Sequence, residues 1–421
     1  MIWMWALLIG SFGAWGATRF CRDMANPVAV YTQVWTLSVA LFLAGWVTYL
    51  PVDAALWWAL VLSGFGFLLG GWSALIWGTP KWRNLPPSQE ISVSVDEARL
   101  RVLLQWFTFL GAVGLLLQIR HLQTTMGLDL LIEDPVVARR LHSNVPVWGY
   151  FNLLNVANIP LVVIYVRVSG RFRKWMSLTI LLAVAAALIT TDRTRFFYMV
   201  IWTFFVWIYL PGRRLTPGRK WLGLGFVVVL LLVFFTVIGE HYDRKYRDRF
   251  PEHIHLTGRF QVLIEPYIYL TGSLAALDAL LNDENPMYKG KFSFSPLVSL
   301  AQVFFPEIET VQLQGKLYFV PMEINTYSYL QQFYQDFGWW GILFGPYVCG
   351  WLTAWVYTLM RRKPTLWRVY TAGLLTFCCV MSVFVNTFTQ EATWFFVLLG
   401  FGAHVWVKRG DLSPENPGRG P

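Results

Sequence analysis

Three stretches of this chain concentrate arginine and histidine where a phosphate would be recognised. "TTDRTRFFY" (190–198) carries Asp192, Arg193 and Arg195, and "ARRLHSN" (138–144) carries Arg139, Arg140 and His142. "HYDRKYRDRFPEHIHLTGRF" (241–260) adds Arg244, Lys245, Arg247, Arg249, His253, His255 and Arg259. Guanidinium is planar and multidentate, which suits it to phosphate oxygens. Several guanidiniums at a membrane boundary could hold the diphosphate of a lipid-linked substrate, each charge-assisted contact contributing about 1.5–3 kcal/mol. A departing diphosphate gains more from them than the ground state does, and that difference is catalysis. The plainer readings are arginines that snorkel at helix ends and a juxtamembrane helix paired with its own acids, Asp243, Asp248 and Glu252.

A fourth stretch, "PMEINTYSYLQQFYQDFGWWGILFGPYVCGW" (321–351), has carboxylates beside rings: Glu323, Asn325, Tyr327 and Asp336. In a helix, Glu323 and Tyr327 would share one face. Acids accept hydroxyl protons and rings stack on sugar faces, so Asn325 and Tyr327 are candidates for sugar binding. Glu323, Asp336 and His142 are candidate bases or sugar-orienting groups, the residue types that general-base chemistry needs. Against this, Tyr and Trp favour membrane interfaces anyway, and Asp336 with Gly338 could simply cap the next helix. The acidic pairs Glu133-Asp134, Asp283-Glu284 and Glu307/Glu309 lack the form of a metal site, and the expectation is that no metal and no other cofactor takes part. Neither a P-loop nor a dinucleotide-binding glycine pattern is present.

The elements that must position these residues are apolar helices. The chain of 421 residues is 56% hydrophobic and only 14% charged, with 23 Trp, against about 45–50% and about 25% in soluble domains. Runs long enough to cross a bilayer occur at 28–50, 54–78, 102–119, 148–168, 221–239, 339–360 and 369–388, with shorter ones at 2–17, 175–190, 196–210 and 393–407. An all-α polytopic membrane protein of about eleven spans follows. Basic residues collect in alternate connections: Arg19 and Arg22, then 81–101, 167–174, 213–220, 361–368 and the tail. The positive-inside rule makes those cytoplasmic, with the N-terminus outside and the C-terminus in the cytoplasm. Most of the net charge of +10 is therefore a topology signal, and nucleic acid is not an expected partner. The expected organisation is helices 1–8 over 1–240, a large outer loop with amphipathic helices over 241–338, helices 9–11 over 339–407 and a disordered tail over 408–421. "IEPYIYLTGSLAALDALL" reads as an amphipathic or half-inserted helix of that outer loop. Cys21, Cys349, Cys378 and Cys379 read as small core residues.

"EINTYSYLQQFYQDFGWWG", with "YLTGSLAALDALL" upstream and "TTDRTRFF" between two spans, resembles the bacterial oligosaccharide repeat-unit polymerases, the Wzy-type O-antigen polymerases. The likeness covers the C-terminal part of the chain, and the N-terminal half matches only in layout. It implies a GT-C-like glycosyltransferase of the inner membrane that works on the outer face without metal or nucleotide sugar. Such an enzyme moves a glycan from undecaprenyl diphosphate to the non-reducing end of the next undecaprenyl-diphosphate-linked repeat unit. Its partners would be that lipid-linked oligosaccharide, membrane lipid and a chain-length regulator of the same pathway. Arg193, Arg195, Arg244, Arg247 and Arg259, with Arg139 and Arg140, are the diphosphate candidates. Arg247 and Gly258 stand at the arginine–glycine spacing of the family's outer loops, whereas Arg139 and Arg140 fall one or two residues short of it relative to Gly149. An O-antigen ligase, another lipid-linked sugar transferase, or a lipid-linked oligosaccharide flippase are the rival readings.

Overall fold

A computed structural model describes residues 2–21, 23–78, 95–126, 148–189, 193–210, 222–231, 233, 250–256, 263–283, 287–305, 307–308 and 317–408. The chain is predominantly helical. In order come α1 (Ile2–Cys21), α2 (Pro27–Ala44), α3 (Ala54–Gly78), α4 (Glu97–Met126), α5 (Trp148–Ser169) and α6 (Trp175–Ile189). Next are α7 (Arg193–Phe197), a π-helical turn (Tyr198–Trp202) and α8 (Thr203–Tyr209), which run on as one rod. The remainder are α9 (Leu222–Leu231), α10 (Ile264–Leu281), α11 (Ser295–Phe304), α12 (Leu330–Arg362), α13 (Leu366–Met381) and α14 (Glu391–Val407). A minimal antiparallel hairpin, β1 (Tyr318–Phe319) and β2 (Glu323–Ile324), interrupts them.

Among the described residues, five helices are long and apolar enough to cross a bilayer: Pro27–Ala44, Ala54–Gly78, Glu97–Thr125, Gly149–Ser169 and Leu330–Arg362. Shorter apolar helices lie over the expected runs at 175–190, 196–210 and 393–407 and over residues 222–231 of the run 221–239. Helix α1 takes the run at 2–17, and the run 28–50 is helical only to Ala44. The run expected over 369–388 is helical only to Met381, after which the chain turns. The expected amphipathic helix, α10, is buried on nearly all sides, because α2, α3, α12 and the small hairpin all pack on it.

Local chemistry sets several boundaries. Asn26 caps α2, its Oδ1 accepting from the Ala29 amide at 2.9 Å, with Pro27 in the first turn. Gly45 ends the helix in the left-handed region at φ 66°. The tightest packing is between α3 and α12. Gly66 and Gly70 share one helical face, where a Cβ would lie 2.3 Å from the Leu343 carbonyl oxygen and 2.0 Å from that of Tyr347. Gly350 answers from the other side against the Phe67 carbonyl at 2.3 Å. In lipid, where apolar side chains gain little by leaving their solvent, such backbone-to-backbone approach is the main source of helix affinity.

A second seam is polar. Asn152, Asn155 and Asn158 form a ladder on α5 facing α4. The Asn152 amide donates to Gln118 Oε1, that of Asn155 to the Gly111 carbonyl at 2.9 Å, and that of Asn158 to the Leu104 carbonyl and Thr108 Oγ1 at 3.2 and 3.0 Å. Thr108 passes the connection to Thr179 of α6 at 2.8 Å. The four cysteines are buried and none forms a disulfide, as expected of core residues.

The loops gather at two ends. At one end, Tyr357 donates to Asp23 (2.7 Å), Arg362 to the Gly78 carbonyl (3.0 Å) and the Asp96 amide to the Val407 carbonyl (3.0 Å). Arg99, Arg173, Arg368 and Lys408 lie in this network or beside it. The other end holds residues 45–53, the starts of α5 and α7, the described residues of 250–336 and the turn 382–391, tied by the bridge Val47–Ile254 and by the Tyr329 amide donating to the Ser382 carbonyl (2.8 Å).

Candidate functional site

The second end carries the polar residues singled out above. A hub of rings positions it: Tyr31 stacks on Phe67 with centroids 3.6 Å apart, shares a 2.7 Å hydrogen bond with the Tyr329 hydroxyl, and stands beside Trp35, which donates to Ser382 at 2.8 Å. Thus α2, α3, the start of α12 and the turn after α13 are fastened together under the site.

On that base sits the arginine helix. The π-helical turn adds a residue to the ring of the helix, a distortion common at functional sites, and Tyr198 leads it. The Tyr198 hydroxyl pairs with Thr393 at 2.6 Å and reaches Gln390 at 3.4 Å. Arg195 lies one turn earlier, and its Nε and Nη1 atoms are buried. A snorkelling anchor would carry its guanidinium outward, so the packing departs from that plainer reading. For Arg193 the backbone alone is described, in the first turn of α7.

The turn 382–391 joins this helix to the fourth stretch. Thr389 donates to Gln332 at 2.5 Å, Tyr150 donates to Glu391 at 2.9 Å, and Phe197 stacks on Phe384. Gln332, Gln390, Glu391, Tyr150 and Tyr198 therefore gather around this turn, although none of them is a candidate by sequence. The run of Gln, Thr and Glu in "NTFTQE" beside an apolar span is the signal that could have pointed to them.

The fourth stretch folds differently from the helical expectation. Glu323 lies on β2 opposite Phe319, so Glu323 and Tyr327 do not share a helix face. Pro321 favours extended backbone before it, and Ser328 turns the chain at φ 58° into α12. Glu323 and Asn325 are exposed, whereas Tyr327 is only 2% exposed. Asp336 is 1% exposed, and its two carboxylate oxygens accept the Phe292 and Ser293 amides at 3.2 and 2.6 Å. It clasps the segment before α11 to α12 and caps no helix. Gly338, at φ 59° and ψ −142°, breaks α12 just beyond it, in a region that only glycine occupies readily. Replacing Asp336 by Ala orphans both amides, at about 1–3 kcal/mol each, so a large drop in Tm is expected while Asp336→Asn keeps part of it; equal Tm for wild type and Asp336→Ala would contradict the clasp. His142, Arg139, Arg140, Arg244, Arg247 and Arg259 lie outside the described residues.

A carboxylate pair also forms at this end. The Asp53 amide donates to Asp278 Oδ1 at 3.1 Å, and Asn282 Nδ2 donates to Asp53 Oδ2 at 3.1 Å. Asp53, which is alone in its loop by sequence, thus has a partner from α10. Burial, opposed by the Asp53 amide and reinforced by the Asp53 charge, pushes the Asp278 carboxyl up to about 6 from 3.8. The folded state then holds the proton more tightly than the unfolded chain. Its contribution is fully present below about pH 4 and is lost as pH rises through about 6, by about 1–3 kcal/mol. Asp278→Asn should flatten Tm across that interval and raise it at neutral pH; an unchanged pH profile would remove Asp278 as the source.

Among the described residues no group of three or more His, Cys, Asp or Glu is arranged to hold a metal. Set against protein families, curated proteins and solved structures, the chain has no match in any of the three. What the structure supports is the class: a predominantly helical, multi-pass membrane protein, by the length and apolar composition of its helices.

Proposed function

We propose that this protein polymerises lipid-linked oligosaccharide repeat units on the outer face of a bacterial inner membrane, with an eleven-span, GT-C-like architecture. It transfers the growing glycan from undecaprenyl diphosphate to the non-reducing end of the next undecaprenyl-diphosphate-linked unit. The observation that carries this reading is the meeting of two distant stretches, the arginine helix at 193–198 and the 323–336 segment, on the single turn 382–391. An arginine-bearing wall and a sugar-suited wall at one end of an apolar bundle are what a donor held by its diphosphate and an acceptor held by its hydroxyls require.

In this reading Arg195, with Arg193 and the outer-segment arginines Arg139, Arg140, Arg244, Arg247 and Arg259, neutralises the diphosphates. The acceptor oxygen attacks the anomeric carbon of the donor, its bond to the diphosphate breaks, and the acceptor proton passes to a base, for which Glu323 and His142 are the candidates. Asn325 and Tyr327 contact sugar. Asp336 serves by holding the wall in place.

The test is polymerisation by the purified full-length protein in detergent, given the native undecaprenyl-diphosphate repeat unit with EDTA present. A ladder of products is the expected result. Movement of the lipid-linked sugar across liposomes with no ladder would instead make the protein a flippase, and transfer only to a lipid A core acceptor would make it a ligase.

A further inference from the structure

The geometry points to a carbohydrate-binding subsite between the 51–53 loop, the C-terminal end of α10 and the β1–Tyr327 segment, taking neutral sugar hydroxyls through Asp53, Asn282, Asp283 and the Tyr327 hydroxyl. The inference rests on the polymerase reading for the source of the sugar, which would be the acceptor glycan, and on the geometry for the rest.

The residues form one continuous chain of contacts. Asp278 holds the Asp53 amide, Asn282 holds the Asp53 carboxylate, and the next residue, Asp283, accepts from the Tyr318 hydroxyl at 2.6 Å. The Tyr318 ring stands edge-on to Tyr327, with centroids 5.6 Å apart and planes at 90°. Burial, the hydrogen bond to Asp283 and that carboxylate's charge hold the Tyr318 phenol well above its ordinary range, with the neighbouring Tyr327 adding to the effect. The two phenols and the Asp283 carboxylate therefore share one small space.

Tyr327 is the independent sign that something is meant to bind there. Its hydroxyl is buried and has no hydrogen-bond partner, a state that folded proteins avoid unless the group has another use. Tyr318, part-exposed on a strand of two residues, stands edge-on against the Tyr327 ring. A sugar that displaces the Tyr318 edge would give the Tyr327 hydroxyl its missing partner and lay a ring face against it.

The character of the groove selects the ligand class. Carboxylates on two sides accept hydroxyl protons, the Asn282 amide can donate, and the tyrosines supply apolar faces. None of these contacting residues is arginine or lysine, which makes them unsuited to the diphosphate, and among the described residues no trio of ligands is arranged for a metal. The subsite is thus chemically distinct from the arginine wall at Arg195.

The experiment is direct binding of neutral repeat-unit oligosaccharides, released from their lipid diphosphate, to the full-length protein in nanodiscs. Wild type is compared with Tyr327→Phe and Asp53→Asn. Retention by wild type, weakened about tenfold or more in each variant, is expected, since one lost hydrogen bond of ~1.4 kcal/mol is a factor of ten. The Tm of Tyr327→Phe should stay level or rise, because the hydroxyl makes no bond in the fold. Asp53 is exposed, so its variant keeps the test open if Tyr327→Phe folds poorly. No retained glycan, or equal retention by wild type and both variants, overturns the subsite. Polymerisation read in parallel separates the two ideas: a ladder unchanged in both variants removes the subsite and leaves the polymerase, whereas glycan binding without any ladder does the reverse.

Discussion

Gly70→Val is expected to abolish recovery of folded protein. A Cβ at Gly70 would lie 2.0 Å from the Tyr347 oxygen, 2.8 Å from its carbonyl carbon and 3.0 Å from the Trp351 nitrogen. All three are main-chain atoms of α12, so no rotamer change relieves the clash. The two helices would have to separate, and with them the neighbouring close approaches at Gly66 and Gly350. Ordinary overpacking costs about 1–3 kcal/mol; a whole helix interface lost in lipid should exceed the ~4 kcal/mol that marks exceptional mutations. Gly402→Ala is the matched control, because a Cβ there meets nothing within 4 Å. Monodisperse yield in size-exclusion chromatography reads the outcome. Normal recovery of Gly70→Val would mean that α3 and α12 do not pack backbone to backbone.

Arg195→Ala should lower polymerisation by about a hundredfold or more while the protein still folds, the scale seen when one preorganised donor to a developing anion is removed. The Arg195 guanidinium Nε and Nη1 are buried, and in the proposed site low water content there would strengthen its hold on a phosphate. Arg195→Lys should recover only part of the rate, since an ammonium cannot make the bidentate contact. Arg99→Ala, at the opposite end and exposed, should leave the rate unchanged. Product ladders and the affinity for the lipid-linked substrate give the readout. If Arg195→Ala polymerises at the wild-type rate, the arginine is a packing residue and the diphosphate is held elsewhere.

The helices were legible because lipid imposes so strong a pattern. The run 54–78 is a helix from end to end, whereas the run expected over 28–50 stops as a helix at Ala44, where Gly45 takes the left-handed region. Inside 321–338 the same reasoning failed. A four-residue spacing suggested a helix face for Glu323 and Tyr327, but Pro321 and a two-residue hairpin override it. Asp336 carried the right chemistry for a base, yet its oxygens are taken by two main-chain amides that no periodicity reveals. The pair Asp53 and Asp278 was invisible for the same reason. Contacts between residues far apart in the chain exist only once α10 has docked, and α10, expected as amphipathic or half-inserted, is instead buried on nearly all sides.

The asparagine ladder between α4 and α5 bears on how the protein is made. Three amides on one stripe of a helix are poorly accommodated by hydrocarbon alone, and on α5 they find partners on Gln118, Gly111, Leu104 and Thr108 of the helix synthesised just before it. Helix α5 is thus a segment whose entry into the bilayer is completed by its predecessor. Insertion of the two helices as a unit is the expected consequence, and a polar lesion on α4 should be felt first as faulty insertion of α5.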